Sequence, residues 1–577
     1  MKHRGAISEI ESFDAPPVEE KLPVIDRWLA CALLGCGLIL RLIYIWHYRI
    51  DSDEPQHLHV VWGWTQGLLP YRDVFDNHSP LFQALYAPLF HLLGVRADIL
   101  LPMRAAELPL FALTLFCVWK IAGAFYSPRI ALWTTVLAGF VPPFYLNSIE
   151  FRPDQLWTLV WMLILLVLTT GPLTVRRMGL AGLLCGLSFS VSMKTTLFLA
   201  AFVQASIGAL IVHWVAGGFL VRWSRVLRCA ASWLAGVVII PGLVVLYFYH
   251  RGALEDMHYC IVTHNVLPGA SARLFGSGAI RTWVKGAIVA IIGGYLIARL
   301  KQPIPVRARL AFLFFAPFLY LTTLVASWPV LTLEDYLPFY PAMMLTVAPA
   351  LLWLVRLCVR NDRLPAGAAL AVVELVGILV TVSPFHDHTA DKIGIVADTL
   401  KLTDPDDYVM DSKGETIYRR RPYRFVIESM TKHRLDKGII KDTIPHELVE
   451  KRVPLATTTR MPTKTKTRDF IKKNYVPIAF RLFVLGKVLR DHKSPPGAPC
   501  EFEVRVPARY TLVAADGVAT GQLDGTPFTG PRELAIGKHS YVPEGNPGKV
   551  VLIWASAIER GYSPFAKIKK DYKSPQD

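Results

Sequence analysis

Long apolar stretches alternate with short polar connections from about residue 28 to residue 385, after which the chain becomes polar. A helix rises about 1.5 Å per residue, so about 20 apolar residues are needed to cross the hydrocarbon core of a bilayer. Eleven stretches approach this length, and each predicts a membrane-spanning helix. They are 28–47, 101–126, 130–147, 155–170, 178–194, 195–216, 229–250, 281–300, 308–327, 336–357 and 366–385.

The segment 80–94 is apolar but too short to span a membrane. As a helix it would measure about 22 Å, against a hydrocarbon core of about 30 Å, so we expect it to lie in the interface. With the N-terminus in the cytoplasm, the inside loops carry twelve Lys and Arg residues and the later outside loops carry only Arg152, Arg251 and Arg273. This distribution follows the positive-inside rule, and a span at 80–94 would invert it.

The fold class that follows is a polytopic α-helical membrane domain, followed by an extracytoplasmic α/β-like and then β-sandwich-like C-terminal region. The predicted parts are a cytoplasmic N-terminal segment 1–27, a membrane domain 28–385 with a first extracytoplasmic loop 48–100, an α/β-like region 386–495 and a β-rich region 496–577. The N-terminus is expected in the cytoplasm and the C-terminal region outside it. We expect the membrane to be the inner (plasma) membrane of a bacterium.

The C-terminal region shows signals for strands and turns. Strands are predicted near 408–411, 453–457 and 481–485, and a helix near 468–474. From about residue 500, alternating polarity with Asp516-Gly517 and Asp524-Gly525 turns predicts several short strands. This region either handles a carbohydrate or a lipid headgroup, or caps the membrane domain. Its basic run Arg419–Arg421, with Arg424, either meets anionic headgroups or forms a solvated face.

Composition excludes several classes of protein. Hydrophobic residues make up 53% and charged residues 19%, with a mean hydropathy of +0.37, which rules out ordinary soluble enzymes and disordered chains. The net charge is +17. Because the basic residues are distributed by topology rather than gathered in one aromatic-rich stripe, nucleic acid is not a predicted partner.

Three carboxylates, Asp51, Asp53 and Glu54, follow the first predicted span and precede His57. A carboxylate in such a position can act as a general base, and clustered carboxylates and imidazoles can ligate a divalent ion. Alternatively, Asp51 or Asp53 caps an interfacial helix. No tight ligand spacing such as His-Glu-x-x-His is present, so the residues leave a divalent metal possible but do not require one.

Charged residues near the outer surface form a second candidate set. Lys194 interrupts the apolar run 178–216, and charges at a membrane are functional by default because their burial is costly. The alternative for Lys194 is a side chain that extends to the interface. Arg152 has an alternative role as a partner of Glu150 or Asp154.

The first loop carries a series of motifs. These are Arg41 in the first span, Asp53-Glu54, Gly67 to Pro70-Tyr71-Arg72-Asp73, and Asp76-Asn77-His78-Ser79-Pro80-Leu81. The series resembles the first extracytoplasmic loop of superfamily C (GT-C) glycosyltransferases that use polyprenyl-phosphate sugars, and it is most similar to the aminoarabinose transferase and protein O-mannosyltransferase branch. Arg152-Pro153-Asp154 and the segment 337–341 match more loosely. Asp335 departs from the family pattern, which has an arginine before the tyrosine.

The resemblance implies an enzyme that moves a hexose or pentose from a polyprenyl-phosphate donor to an extracytoplasmic lipid, glycan or protein. It implies Asp53 or Glu54 as the general base and no cofactor. The residues then expected at the donor phosphate are Lys194, Arg152, Arg251 and Arg281, and those expected at the substrate are His57, Asp76, His78, Asp154 and His264. Membrane lipid is a further expected partner.

Two other functions fit a multi-span chain. One is a flippase or transporter of a polyprenyl lipid or glycan, and the other is a non-catalytic scaffold of cell-envelope assembly. Transporters place paired charges near the bilayer midplane, often in repeated halves. The charges of this chain cluster at one surface and no internal repeat is found, which favours the transferase.

Overall fold

The computed structural model describes residues 22–218, 223–266, 276–328, 330–358, 365–457, 459, 466–491, 495, 497–545 and 547–568. Residues 1–21 of the predicted N-terminal segment and Arg273 lie outside this range. The chain divides into two compact units. The helical unit comprises Met1–Tyr48, Asn77–Leu85 and Leu101–Asp387, and the mixed unit comprises Arg49–Asp76, Tyr86–Leu100 and His388–Asp577.

Each apolar stretch predicted to span the membrane falls on one helix or on two successive helices. The α-helices up to residue 381 are Val24–His47, Asp53–Thr65, Leu81–Leu93, Leu100–Ala105, Leu108–Gly123, Pro128–Phe140, Pro142–Asn147, Pro153–Thr169, Val175–Val191, Thr195–Val215, Trp223–His250, Leu254–His258, Ser277–Ala298, Ile304–Ser327, Phe339–Cys358 and Ala366–Thr381. A π-helical turn, Tyr259–Thr263, and a 3₁₀ turn, Leu333–Tyr336, complete this part. The short segment 80–94 forms the 13-residue helix Leu81–Leu93.

Seven helices among the described residues are long and apolar enough to cross a bilayer. They are Val24–His47, Leu100–Gly123 (taken across its break), Thr195–Val215, Trp223–His250, Ser277–Ala298, Ile304–Ser327 and Phe339–Arg356. Trp223–His250 has a mean hydropathy of 2.3, yet only 6% of its apolar window is buried in the protein. Such an exposed apolar surface needs lipid around it. The chain is therefore an integral membrane protein, and the count of eleven spans stays a prediction.

Glycines allow two helices of the helical unit to pack at close range. A Cβ atom at Gly182 of Val175–Val191 would overlap the carbonyl oxygen of Trp233, and one at Gly236 of Trp223–His250 would lie 2.5 Å from the Gly179 carbonyl oxygen. Helix association inside a membrane depends on such close backbone contact rather than on the hydrophobic effect.

Two sheets form the core of the mixed unit. The larger has the order β1-β2-β4-β12-β6-β10, with β3 added to β4 and β7 to β6, and the smaller has the order β5-β11-β8-β9. The strands are β1 Val409–Met410, β2 Leu455–Thr457, β3 Tyr475–Ala479, β4 Leu482–Arg490, β5 Cys500–Val504, β6 Ala508–Ala514, β7 Gly517–Val518, β8 Gly521–Leu523, β9 Thr526–Pro527, β10 Arg532–Leu534, β11 Gly537–Pro543 and β12 Val550–Trp554. The helices are Ala390–Leu402, Ser429–Asp436, Ile444–Glu450, Lys466–Asn474 and Ala555–Glu559.

The predicted strands and helix of the C-terminal region are present, and the fold class inferred from the sequence is confirmed. The Asp524-Gly525 turn joins β8 to β9, and both residues have the positive φ (52° and 74°) that a type I′ hairpin turn requires. Strand β12 pairs with β4, so one sheet takes strands from both sides of residue 495. The predicted boundary between 386–495 and 496–577 stays a prediction.

Candidate functional site

The helix Asp53–Thr65 of the mixed unit begins with a reciprocal cap. The Asp51 carboxylate accepts the Asp53 N–H at 2.9 Å, and the Glu54 carboxylate accepts the Asp51 N–H at 2.9 Å. These two bonds satisfy backbone donors that a helix start leaves without intrahelical partners. Of the two capping candidates from the sequence, Asp51 is the one that caps through its side chain.

The two members of the acidic pair have different environments. Glu54 is fully buried, whereas the Asp53 side chain keeps 17% of its surface exposed. The Asp53 carboxylate accepts a bond from the Ser52 hydroxyl at 3.0 Å and forms an ion pair with Lys413. Asp53 is therefore the more exposed carboxylate of the pair.

Lys413 was not found by sequence reasoning, because it lies 360 residues from Asp53 along the chain. It belongs to the loop 411–417, which Asp411 organises. The Asp411 carboxylate accepts bonds from the Gly414 and Thr416 N–H groups at 2.8 and 3.0 Å and from the Arg421 guanidinium at 2.8 Å. Buried carboxylates need such partners, so this loop has one defined conformation.

Burial and charge set the protonation of this network. Burial raises the carboxyl pKa of Asp411, but the charges of Arg421 and His59 and the bonds from Thr416 outweigh it, so the pKa is lowered. Burial lowers the pKa of His59, whose Nδ1 lies 2.8 Å from the Ile417 carbonyl oxygen. Asp411 is thus ionised at neutral pH.

The basic run of the C-terminal region divides between structural and exposed positions. Arg421 bonds to Asp411, Arg419 donates to the Thr403 hydroxyl and carbonyl, each at 2.9 Å, and Arg424 donates to the Tyr71 carbonyl at 3.0 Å. Arg420 and Arg424 are exposed, Arg421 is partly buried and Arg419 is buried. Most of the run therefore holds the mixed unit together.

The remaining first-loop candidates are buried. His57 is fully buried inside Asp53–Thr65, and Asp76 is 1% exposed at the end of its segment of the mixed unit. Neither side chain presents a surface to solvent in this structure, and their roles at the substrate stay predictions.

The helical unit brings together Arg152, Asp154 and Lys194. Arg152 lies 3.3 Å from Asp154 (Nε to Oδ2), and Lys194 Nζ lies 3.1 Å from Asp154 Oδ1. The cluster also contains Glu334, 2.6 Å from Arg152 Nη2, and Asp335, 2.5 Å from Lys194 Nζ. The sequence alone predicted no ionic partner for either acid, and Asp335 stood out only as a departure from the family pattern.

This cluster, completed by Glu150 at 3.9 Å from Arg152, holds two cations and four carboxylates. Its residues are largely buried, with Asp335 at 1% exposed. Arg152 therefore pairs with both Glu150 and Asp154. This is the alternative role that the sequence analysis gave for Arg152. An anion that approaches Lys194 or Arg152 has to compete with the carboxylates already bound there.

The other predicted phosphate contacts lie outside this cluster. Arg251 and Arg281 are both exposed, and Arg281 donates to the Ser277 carbonyl of its own helix at 3.3 Å. His78 follows Asn77, and His264 precedes Asn265. These two asparagines connect the segments, because the Asn265 side chain donates to the Asn77 carbonyl at 2.8 Å. His264 is fully buried, whereas His78 is partly exposed.

Arg41 of the first span has a structural role. It is 2% exposed, and its guanidinium donates to the Tyr145 carbonyl at 2.9 Å and to the Ser148 carbonyl at 2.5 Å. It also lies 3.9 Å above the Phe111 ring. The arginine of the family-like motif thus joins the first helix to Pro142–Asn147 and the residue that follows it.

The mixed unit contains a cavity of about 530 Å³. Trp62 and Tyr418 line it together with Asp404, Arg420 and Arg560. Arg560 Nη2 bonds to Asp404 at 2.6 Å. Trp62 and Tyr418 are themselves buried, 7% and 1% exposed, so they contribute little open surface to this space.

Among the described residues, no group of three or more His, Cys, Asp or Glu side chains is placed to hold a metal ion.

Comparison with known proteins finds solved structures that are similar to this chain. No family model and no curated protein matches the chain. The apo structure of ArnT from Cupriavidus metallidurans aligns at 14% identity and a TM-score of 0.45, over 80% of this chain and 98% of that one. ArnT bound to undecaprenyl phosphate aligns at 13% identity and a TM-score of 0.45, over 79% and 97%.

The archaeal oligosaccharyltransferase AglB from Archaeoglobus fulgidus, in complex with an inhibitory peptide and a dolichol-phosphate, aligns at 12% identity and a TM-score of 0.40, over 75% of this chain and 70% of that one. All these TM-scores lie under 0.5, and the function proposed below depends on this chain's own residues.

Proposed function

We propose that the chain is an integral-membrane glycosyltransferase that moves a sugar from a polyprenyl-phosphate donor to an extracytoplasmic acceptor. The observation that supports this most is the partly exposed Asp53 carboxylate at the start of Asp53–Thr65, in a loop with family-like motifs. A membrane-embedded enzyme suits a donor whose polyprenyl chain stays in the bilayer. The exposed apolar helices of the helical unit meet that requirement.

In this mechanism Asp53 is the general base. It accepts the proton of the acceptor hydroxyl or amine as that group attacks C1 of the sugar. The bond from C1 to the phosphate oxygen breaks, and polyprenyl phosphate leaves with the bonding electron pair. Asp53 is preferred to Glu54 because Glu54 is buried and its carboxylate caps the helix.

The departing phosphate needs positive charge to stabilise it. We assign this stabilising role to Lys194 and Arg152, and we keep Arg251 and Arg281 as further, exposed cations. As predicted from the sequence, the residues proposed at the substrate are His78, Asp154 and His264. The four carboxylates that contact Lys194 and Arg152 outnumber these two cations in the absence of donor. Phosphate binding there would replace Glu334 or Asp335 as the partner of one cation.

The cavity of the mixed unit is the proposed location for a polar part of the acceptor. The Arg420 and Arg560 guanidinium groups suit a sugar that carries an anionic group. This assigns a binding role to the C-terminal region. Isothermal titration of phosphorylated sugars into wild type and Arg420→Ala tests this binding role. Equal affinities of the two proteins would favour the alternative, in which the C-terminal region is a structural cap.

The experiment that tests the function uses radiolabelled sugars on synthetic polyprenyl phosphates, full-length protein in detergent and an envelope extract as acceptor. We expect labelled product with wild type and none with Asp53→Asn of unchanged melting temperature. Asp469→Asn, at an exposed carboxylate of the same unit, is the matched control and should retain activity. Absence of turnover with every donor would favour a flippase or a scaffold.

A further inference from the structure

We propose that Lys413 is a positioning residue for Asp53, so that the C-terminal region completes the catalytic apparatus of the first loop. This inference rests on the function proposed above. Lys413 is 7% exposed, and its ammonium forms an ion pair with the Asp53 carboxylate. The two residues belong to the same compact unit.

The loop that carries Lys413 is fixed to the helix that begins at Asp53. Gly414 has a φ of +84°, and a Cβ there would lie 2.9 Å from the His59 Cβ and 3.3 Å from the Gln56 Cα. The Ile417 carbonyl lies 2.8 Å from Nδ1 of the same His59. The loop is therefore packed against the helix, and this packing brings Lys413 next to Asp53.

The buried Asp411 network gives the loop its shape. Asp411 accepts four bonds, from the Gly414 N–H, from the N–H and hydroxyl of Thr416 and from Arg421. Lys413 lies inside this turn, and its own N–H donates to the Glu415 carboxylate at 2.7 Å. The turn is built from buried polar residues that a simple cap over a membrane domain does not need.

The chemistry of the pair suits a base. A lysine ammonium is a compact charge with three donors, and it favours the ionised carboxylate, the form that accepts a proton. It also restricts the orientation of that carboxylate. A reacting group that is misplaced by about 1 Å can lose on the order of 100-fold in rate. Lys413 thus acts through Asp53 and need not contact the substrate.

Steady-state kinetics of Lys413→Met and Lys413→Arg in the full-length protein test this role. We expect Lys413→Met to lower kcat on the order of 10- to 100-fold with an unchanged KM for the polyprenyl-phosphate donor. Lys413→Arg keeps the charge and should recover most of the rate. Lys538→Met, at an exposed lysine on β11, is the matched control and should behave as wild type.

The outcomes separate this inference from the proposed function. Wild-type turnover together with full activity of Lys413→Met would overturn the positioning role and leave the transferase intact. Equal losses in Lys413→Met and Lys413→Arg, each with a lowered melting temperature, would assign Lys413 a structural role only. Absence of wild-type turnover with any donor would overturn both.

Discussion

Arg152 and Lys194 lie between carboxylates, and the balance of charge around them decides what they can bind. Glu334 contacts Arg152 at 2.6 Å and is partly exposed, so it is the acid that a phosphate would most easily displace. If the cluster binds the donor, Glu334→Gln removes a competing charge and should lower the KM for the donor about threefold or more. Donor titration in a transfer assay measures this.

Glu255→Gln, at an exposed carboxylate of the same unit, is the control for that substitution and should leave the KM for the donor unchanged. A KM for the donor that stays at the wild-type value in Glu334→Gln would mean that the cluster only stabilises the fold. The phosphate would then bind elsewhere.

Asp411 carries a second residue-scale prediction. Asp411→Asn would leave the buried Arg421 guanidinium without its counter-charge, so the free energy of unfolding should fall by about 3 kcal/mol. Scanning fluorimetry of the purified protein would measure the lower melting temperature. Asp469→Asn is the exposed control, and equal melting temperatures for the two variants would contradict this account.

The pH dependence of the same group has a definite sign. The folded-state pKa of Asp411 is lowered from 3.8 by Arg421, His59 and the Thr416 bonds, against the effect of burial. Its contribution to stability is therefore present above pH 3.8 and is lost as the pH falls through the lowered pKa. The difference in melting temperature between wild type and Asp411→Asn should shrink as the pH falls below 3.8. A difference that stays constant down to pH 2 would contradict the assignment.

Part of the candidate site could be predicted from the sequence. Asp53 and Glu54 were identified because they follow a span and belong to a family-like motif. The difference in burial between the two became visible only in the structure, and it is the reason that Asp53 is the one proposed as the base. Lys413 is separated from Asp53 by 360 residues, and its pairing depends on the tertiary structure of the loop 411–417.

At the scale of elements, the helices Val175–Val191 and Trp223–His250 provide a test of packing. Gly182→Ala places a Cβ against the Trp233 carbonyl oxygen, which the backbone cannot avoid, and should destabilise the protein by about 1–3 kcal/mol. Gly242→Ala in the second helix meets nothing within 4 Å and should be neutral. Melting temperatures in one detergent compare the two, and equal values would argue against close packing of these helices.

Helices were more predictable than strands and breaks. An apolar run of about 20 residues has few alternatives in a membrane, so the segments that became helices could be located from hydropathy alone. The break between Pro128–Phe140 and Pro142–Asn147 was missed, although Pro142 and Pro143 mark it. Strand β3 was missed because Tyr475–Ala479 directly follows a helix and contains a proline.

For the whole molecule, the distribution of basic residues makes a prediction about sidedness. The C-terminal region should lie outside the cytoplasm, because a cytoplasmic N-terminus puts twelve basic residues on inside loops. Alkaline phosphatase fused after residue 577 should be active in a bacterial host, and a green fluorescent protein at the same position should be dark. The opposite pair of results would invert the topology.

The pairing of β12 with β4 could not be predicted from the sequence, because these strands are more than 50 residues apart and antiparallel pairing over that distance depends on the tertiary structure. The local signals of each strand were nevertheless sufficient to find most of them. The order of strands within the sheets was available only from the structure.

The central claim is tested most directly by measuring the free polyprenyl phosphate that forms when the bond between sugar and phosphate breaks. A detergent micelle has no two sides, so a flippase can produce no change there, whereas a transferase releases free polyprenyl phosphate. We predict that wild type releases it in step with labelled product and that folded Asp53→Asn releases none. Intact donor after incubation with wild type and acceptor extract, or equal release by Asp53→Asn, would contradict the account.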